Sequence, residues 1–519
     1  MIGIIDLVRK DLTIEFEYRE DLVNVVRQSF PVKRFDKEKR VWVIPKSYGR
    51  LVKKFFEENP EFHLTDEAKK CVMMSRENDI HLEPNLEFGA KKPYQHQIDG
   101  VKILVKNNRM ILGDEMGLGK TLQSLVAAKA YSNAGFRAVV LSPASLEDNW
   151  MIEAADVGIE VSVYSWNNIP NEDDVGGKFI LVADEAHYAQ SGGRSKRGSE
   201  FLALAKSDLC VACYCLTGTP MKNGRPINLF PLLVAVRHPL GEQKEFYERR
   251  YCDAKKTRFS RWDTNGSKNL DELHDMIKDV LLIRYKKDCL DLPEKMRSKV
   301  FIKLSAKART WYNEKMKELK GVYEQRLASG EIQEGGEAVV MLNNVRQSAS
   351  IAKCEYAIEK AKEILDQGES VVIFTYYQAS AKILAAQLDG ILLTGDTPQK
   401  DRQGLVEAFQ SGKKKVFVYT MAGGVGITLV KSHYGIAVDR PMTPGDAVQI
   451  EDRIHRIGQG SPVTWYWLQC NVVDQAIDEL IESKQDNIDL VLKGKRKTIS
   501  RGMSQRTLAL ELLELAYEV

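Results

Sequence analysis

From Lys91 onward, short apolar runs alternate with stretches whose apolar residues recur at helical spacing, and few folds accommodate that rhythm. Met110–Leu112, Ala138–Leu141, Phe179–Ala183 and Leu209–Leu216 are strand candidates, each ending where polar or glycine residues begin. Such alternation builds a parallel sheet covered by helices, with ligands at the carboxyl ends of the strands. The rhythm returns at Val371–Phe374, Ile391–Leu393, Val416–Tyr419, Gly435–Val438 and Val463–Leu468. The expected fold class is therefore α/β, with two parallel-sheet lobes. Between them Tyr312, Met316, Leu319, Tyr323 and Leu327 fall on one helix face, followed by a flexible interruption at Ser329–Glu337. A chain of 519 residues has room for about three domains.

The first 80 or so residues read differently, as a small α+β unit. Leu12–Tyr18 alternates as a strand, Leu22, Val23, Val26 and Phe30 recur as on a helix that Pro31 ends, and Arg40–Ile44 reads as another strand. Tyr48, Leu51, Val52 and Phe55 suggest a further helix, and Glu77–Ala90 reads as a linker. The net charge of the whole chain is only +3, but its distribution is uneven. Residues 27–54 carry ten basic groups against Asp36 and Glu38, and Lys33, Arg34, Lys37, Lys39 and Arg40 cluster in one loop flanked by Trp42. A second basic run lies at Lys493–Lys497, before a closing helix expected at Thr507–Tyr517. Such patches suit nucleic acid whatever the total charge.

Composition excludes several classes. Apolar residues make up 44% and charged residues 28%, which rules out global disorder. No apolar run approaches the ~18 residues of a membrane helix, and the N-terminus lacks the basic head of a signal peptide. Cys210, Cys213 and Cys215 lie in an apolar run with no second ligand pair nearby, so they read as a buried strand of reduced thiols. An intracellular protein is expected, in the cytoplasm or nucleoid of a bacterium or phage-infected cell, or nuclear if eukaryotic.

Three motifs carry chemistry. GDEMGLGKT at Gly113–Thr121 follows a strand and opens an amphipathic helix. Gly117 and Gly119 let the backbone wrap phosphate oxygens, Lys120 neutralises the outer phosphates, and the Thr121 hydroxyl suits Mg²⁺. The strict pattern G-x-x-x-x-G-K-[ST] fails at one position, where Asp114 replaces the first glycine. FILVADEAH at Phe179–His187 delivers Asp184, suited to the magnesium shell, and Glu185, suited to polarising water. QIEDRIHRIGQ at Gln449–Gln459 places Arg453 and Arg456 three residues apart, on one helix face. An arginine supplied in this way to a γ-phosphate is worth roughly 10³–10⁵ in rate.

In this order the motifs resemble the Swi/Snf-type ATPases of helicase superfamily two, over about four fifths of the chain. PYQHQIDGV resembles that family's adenine-recognition motif, with Gln95 as the implied reader. LSPASLEDNW at Leu141–Trp150, LTGTPMKN at Leu216–Asn223, VVIFTYY at Val371–Tyr377 and AGGVGITL at Ala422–Leu429 look like motifs Ia, III, IV and V. IRYKKDCLDLPEK at Ile283–Lys295 resembles the segment linking the lobes. Two positions depart from the family: Tyr188–Ser191 stand where a Lys-Asn pair follows the acidic box, and Thr428 stands where motif V carries Asn. FPVKRFDKEKRVWVIPKSYGRL at Phe30–Leu51 is similar to the HARP module of annealing helicases.

The resemblance implies a HARP-like unit at 1–80, a RecA-like lobe at 86–282, a linker and helical insertion at 283–355, a second RecA-like lobe at 356–490, and a basic segment with a helix at 491–519. ATP and Mg²⁺ are the implied cofactors, with Gln95, Gly117, Gly119, Lys120, Thr121 and Gly424 on the nucleotide. Lys120, Asp184, Glu185, Arg453 and Arg456 carry hydrolysis. DNA lies across both lobes, with Ser142, Thr217, Thr375 and the amides of Gly423 and Gly424 as backbone partners. Lys33, Arg34, Lys37, Lys39 and Arg40 are the recognition head. The implied function is an ATP-dependent translocase remodelling forked or branched DNA with little sequence preference, alone or with replication or repair proteins. A strand-separating helicase, a remodeller displacing proteins, and a DNA-binding scaffold with a degenerate motor stay open as alternatives.

Overall fold

The computed structural model describes residues 3–8, 11–30, 33–45, 48–72, 80, 82–221, 224–256, 262–329, 336–424 and 426–493. The basic run at 494–497 and the closing helix expected at Thr507–Tyr517 lie outside them, as do Lys46, Lys222 and Asn223.

The N-terminal unit is a five-stranded sheet of β1 (Gly3–Val8), β2 (Asp11–Phe16), β3 (Arg34–Asp36), β4 (Val41–Pro45) and β5 (Phe62–Leu64), in the order β3-β4-β2-β1-β5. Helices Glu20–Ser29, Gly49–Glu58 and Asp66–Val72 accompany it. The Glu20–Ser29 helix buries Leu22 and Val26, one turn apart. Trp42 belongs to the same core as Ile14, Ile44 and Phe55, and it pairs across the strands with exposed Phe35 beside the basic turn.

The first lobe holds a parallel sheet of β6 (Arg109–Leu112), β7 (Arg137–Ser142), β8 (Ser162–Ser165), β9 (Phe179–Ala183) and β10 (Cys210–Leu216). A small antiparallel hairpin, β11 (Lys255–Lys256) and β12 (Trp262–Asp263), stands apart from the sheet. β13 (Leu281–Leu282) completes the order β13-β6-β10-β9-β7-β8. β9 and β10 are buried along their whole length, as strands covered on both faces must be. The thiols of Cys210, Cys213 and Cys215 lie inside this sheet.

The second lobe is built the same way. β14 (Lys295–Phe301), β15 (Val371–Phe374), β16 (Ile391–Leu393), β17 (Val416–Tyr419), β18 (Tyr434–Ala437) and β19 (Val463–Gln469) form a parallel sheet ordered β14-β19-β18-β15-β17-β16. β14 lies within the stretch read as linker. Its sequence, KMRSKVF, carries three basic residues and has no fully buried position, as suits a charged edge strand, so it gives no continuous apolar run. Helices Ala306–Ala328 and Gly336–Asp366 form the helical insertion. Trp465 and Trp467 are fully buried in β19.

Two features tie the units together. The hydrophobic core of the N-terminal unit runs without a break into the first lobe, from Ile14 and Phe55 through Tyr48 to Tyr247, Tyr251 and Leu273. The helix Val472–Lys493 begins against the second lobe's insertion through Val473 and Ile477, and ends in the first lobe's core through Val491.

Candidate nucleotide site between the lobes

The phosphate loop leaves the carboxyl end of β6 and enters the helix Lys120–Asn133. Gly117 and Gly119 adopt φ of 85° and 75°, a region that side chains rarely tolerate, and Gly119 caps the helix. The Lys120 ammonium donates to the carbonyls of Asp114 (2.7 Å) and Glu115 (3.4 Å), inside the curl of the loop.

Asp114, the departure from the strict loop pattern, is fully buried and pairs with Arg284, through Nε to Oδ1 (3.0 Å) and Nη2 to Oδ2 (2.5 Å). Arg284 also donates to Gln123 Oε1 (2.6 Å) and to the His96 carbonyl. The close approach needs Gly100, because a Cβ there would meet Gln123 Oε1 at 1.9 Å and Arg284 Nη2 at 2.7 Å. The backbone completes the strap: Gly113 N donates to Leu282 O and Glu115 N to Arg284 O.

The glutamine beside the loop is Gln97. Its amide donates to Leu118 O (3.3 Å) and would lie 2.2 Å from a Cβ on Gly119. Gln95, the sequence-based choice, is exposed and donates to Asp99 (3.0 Å) on its own helix. The helix starts at Gln95, and the two residues between it and Gln97 carry the chain about half a turn round, from the solvent face to the loop.

β9 ends in the acidic pair. Asp184 is held by Trp150 Nε1 to Oδ2 (3.0 Å) and by the Glu185 amide to Oδ1 (2.9 Å). Burial and the neighbouring Glu185 charge push its carboxyl up to about 7. Glu185 sits at φ 48°, in the left-handed region. Burial alone would raise its carboxyl, but His187, 3.0 Å away, together with Lys120 and Arg453 holds it below the usual range. The first of the two departures is also accounted for, because Gln190 donates to the carbonyls of Thr219 (3.2 Å) and Pro220 (3.0 Å), holding the LTGTP segment.

The arginine segment of the second lobe reaches this loop, though not as the helix face expected from the sequence: the helix Pro444–Glu451 ends before Arg453, and both arginines lie in the turns that follow it. A Cβ on Gly117 would lie 3.7 Å from the Cβ of Arg456. Arg453 is buried, and the Glu185 carboxylate across the seam acts on its charge along with Tyr419 and Asp452. Arg456 Nη1 donates to Ile427 O (3.1 Å) and Thr428 Oγ1 (2.9 Å), so the threonine that replaces the family's Asn receives this arginine. Burial, with Arg453 adding repulsion, lowers Arg456 to about 10. Lys286, absent from the sequence-based set, bridges the two lobes. Its amide donates to Glu115 (2.7 Å), and its ammonium meets Asp452 (2.8 Å) and the His455 carbonyl (2.8 Å). Gln399 Nε2 donates to Ser145 O (2.9 Å), and Leu146 abuts Gly426, closing the seam elsewhere. A cavity of about 400 Å³ opens there, walled by Glu185, His187 and Tyr188 on one side and Tyr376, Thr420 and Gln449 on the other.

The residues expected at the DNA backbone are engaged within the protein itself. Ser142, Thr217 and Thr375 are fully buried. Ser142 Oγ donates to Pro143 O, Thr217 accepts from Thr219 N, and Thr375 donates to Asp439 (2.7 Å). The Gly424 amide already donates to Thr420 O (2.8 Å), and Gly423 lies against the backbone of Leu393. These residues shape the loops from within. In the N-terminal unit, Lys33 is engaged by the carbonyls of Arg27 (2.5 Å) and Phe30 (2.7 Å), which leaves Arg34, Lys37, Lys39 and Arg40 exposed around the β3–β4 turn.

Family comparison agrees with this geometry. The model of the SNF2-related domain matches residues 96–173 and 174–353, and that of the helicase conserved C-terminal domain matches 356–458. The chain belongs to the Swi/Snf-type ATPases of helicase superfamily two. The SWI/SNF-related matrix-associated actin-dependent regulator of chromatin subfamily A-like protein 1 of Drosophila melanogaster is 27% identical over 91% of this ATPase and 66% of its own length. The Caenorhabditis elegans homolog is 26% identical over 92% and 74%. The DNA annealing helicase and endonuclease ZRANB3 of Mus musculus is 27% identical over 78% of this chain, which spans only 41% of that protein. Among solved structures, the Sulfolobus solfataricus SWI2/SNF2 ATPase core in complex with dsDNA aligns over 80% of this chain and 95% of that one, with 21% identity and a TM-score of 0.37. Among the described residues, no helix is long and apolar enough to cross a membrane.

Proposed function

We propose that this Swi/Snf-type ATPase is a DNA-stimulated motor that moves on duplex and remodels forked or branched DNA by regression, annealing or branch migration. The observation that carries the motor reading is the seam, where the Cβ of Arg456 in one lobe lies against Gly117 of the other and the charge of buried Arg453 is felt by Glu185 across it. Gly117, Gly119, Lys120 and Thr121 would cradle the phosphates of ATP, with Gln97 next to the loop. Asp184 and Thr121 would hold Mg²⁺. A carboxyl raised by burial and by a neighbouring carboxylate fits that role, since a divalent cation favours its ionised form. The bound metal nucleotide supplies the γ-phosphoryl group whose transfer to water releases the energy. Glu185, kept ionised by His187, Lys120 and Arg453, orients the attacking water at the edge of the cavity. Arg453 and Arg456 stabilise charge on the transferring group only while the lobes are closed. Hydrolysis therefore changes how firmly the halves hold each other, and nucleotide state biases closure through these contacts.

The substrate reading takes the N-terminal unit as a DNA-recognition head, which its resemblance to the HARP module supports. The β3–β4 turn projects Arg34, Lys37, Lys39 and Arg40 into solvent, with Phe35 exposed beside them and its ring 5.2 Å from that of Trp42. The name of the Mus musculus relative includes DNA annealing, and that activity is part of this proposal. Backbone contacts carry no base information, so weak sequence preference and strong salt dependence are expected.

The deciding experiment measures ATP turnover with single-stranded, linear duplex and forked DNA side by side, together with a strand-displacement assay. Fork-stimulated turnover above that on linear duplex is expected, and replacing Arg34, Lys37, Lys39 and Arg40 together by Ala should remove the preference while leaving turnover on linear duplex. Equal discrimination by both forms would overturn the head assignment. Net strand separation on blunt forks would favour the helicase alternative.

A further inference from the structure

We infer that the β11–β12 hairpin is a second nucleic-acid contact, which stacks an unpaired base on Trp262 beside the N-terminal unit. The inference rests on the DNA-motor reading and adds to it a surface for single strands.

Burying an indole is strongly favourable, and most tryptophans of this chain are buried. Trp262 is 45% exposed and Trp311 38%, while Trp42, Trp150, Trp166, Trp465 and Trp467 are at most 9% exposed. Trp262 differs from Trp311 in what surrounds it. The Arg249 guanidinium lies 5.5 Å from its ring centroid and the Lys256 ammonium 5.8 Å. Lys256 stands directly opposite Trp262 in the hairpin, and Lys255 opposite Asp263. The ring is thus presented on a two-stranded support with a cation from each neighbouring element.

Position adds a second argument. Arg249 belongs to the helix Lys244–Tyr251, on which the N-terminal unit docks. Three residues before it, Phe246 meets the Tyr48 ring at 5.8 Å. One residue after it, Arg250 pairs with Glu272, the same carboxylate that receives Tyr48 OH. The hairpin and the basic head therefore share one platform. A fork offers unpaired bases next to duplex, and a platform carrying both elements meets both parts.

Charge decides the class of partner. Arg249 pairs with Glu245 (2.5 Å) and Lys255 with Asp253 (2.7 Å), all exposed groups. Exposed pairs of this kind hold each other only weakly, so phosphates can replace the carboxylates. An exposed aromatic flanked by cations is the recurring means of binding single strands, in which base faces are available and backbone charge is close. Within a paired duplex the base faces are stacked on each other.

The test uses the full chain. Its tryptophan emission is titrated with oligo(dT), in the wild type and in Trp262→Phe and Trp311→Phe. Quenching is expected in the wild type and in Trp311→Phe, and its loss in Trp262→Phe. Trp262→Ala should weaken binding to a fork with unpaired arms about fivefold or more, the equivalent of about 1 kcal/mol of stacking per base. ATP turnover stimulated by blunt linear duplex should stay at the wild-type level. Quenching that persists in Trp262→Phe, or wild-type fork affinity in Trp262→Ala, overturns the hairpin inference. If linear duplex fails to stimulate the wild type at all, it is the motor reading that fails, independently of Trp262.

Discussion

Replacing Asp114 by glycine would complete the strict phosphate-loop pattern, and it should damage the enzyme. Asp114 is fully buried and Arg284 is 16% exposed, so removing the carboxylate strands a guanidinium that water barely reaches. Breaking a buried pair from one side costs about 3–5 kcal/mol, and the partial exposure of Arg284 points to the lower end, about 3 kcal/mol. In a lobe of this size that lowers the melting midpoint by about 6–12 °C, at about 2–4 °C per kcal/mol. Turnover should fall as well, because the Arg284 strap carries Lys286 to the second lobe. The informative comparison is a cycle of Asp114→Gly, Arg284→Met and the double variant, followed by calorimetry and by DNA-stimulated ATP turnover. The double variant has no stranded charge and should regain about 2 kcal/mol or more relative to the sum of the single changes. Strict additivity, or an Asp114→Gly protein melting within about 1 °C of wild type, would show that the pair is incidental.

Other perturbations separate the remaining roles. Gln97→Ala should raise the KM for ATP about tenfold, the scale of a lost hydrogen bond, while Gln95→Ala leaves it unchanged; the reverse ranking would restore the sequence-based choice. Lys286→Met should lower kcat more than it raises KM, and exchanging the charges in Lys286→Asp with Asp452→Lys should recover part of the loss, which a purely space-filling lysine could not do. Asp184 titrates higher in the folded chain than in the unfolded one, so its contribution is complete below about pH 4 and lost as pH rises through about 7. Nucleotide-free wild type should therefore lose up to about 1.4 kcal/mol per pH unit across that window relative to Asp184→Asn, as measured by denaturant titration. Matching pH profiles would mean that the carboxyl titrates normally.

The interior strands were readable because each is buried on both faces and so consists of an uninterrupted apolar run, with β9, β15 and β17 matching residue for residue; the apolar edge strand β16 matches as well. β14 and β13 were not, since one is a charged edge and the other two residues long, and only pairing with β19 and β6 makes them strands. The site divides in the same way. Lys120, Asp184 and Glu185 follow strand ends and announce themselves locally. Arg284, Lys286 and the Trp150 indole act across more than thirty positions of sequence, as Arg284 on Asp114 shows, and no local spacing encodes such a contact. The hydroxyls of Ser142, Thr217 and Thr375 are ambiguous in sequence for a related reason. Each sits at the carboxyl end of a buried strand, where a polar residue can serve the loop's own backbone as readily as a ligand.

The unbroken core joining the front unit to the first lobe has a mechanical consequence. A head fused to one half of an engine cannot lag behind it as a passenger on a tether would. If the proposed motor reading holds, whatever the β3–β4 turn grips would become part of the chassis, and each stroke of the opposite half would be taken against that fixed anchorage. Step length and junction geometry would then be geared together, so lengthening the connection between head and lobe should blur the choice of substrate even where every contact to DNA survives.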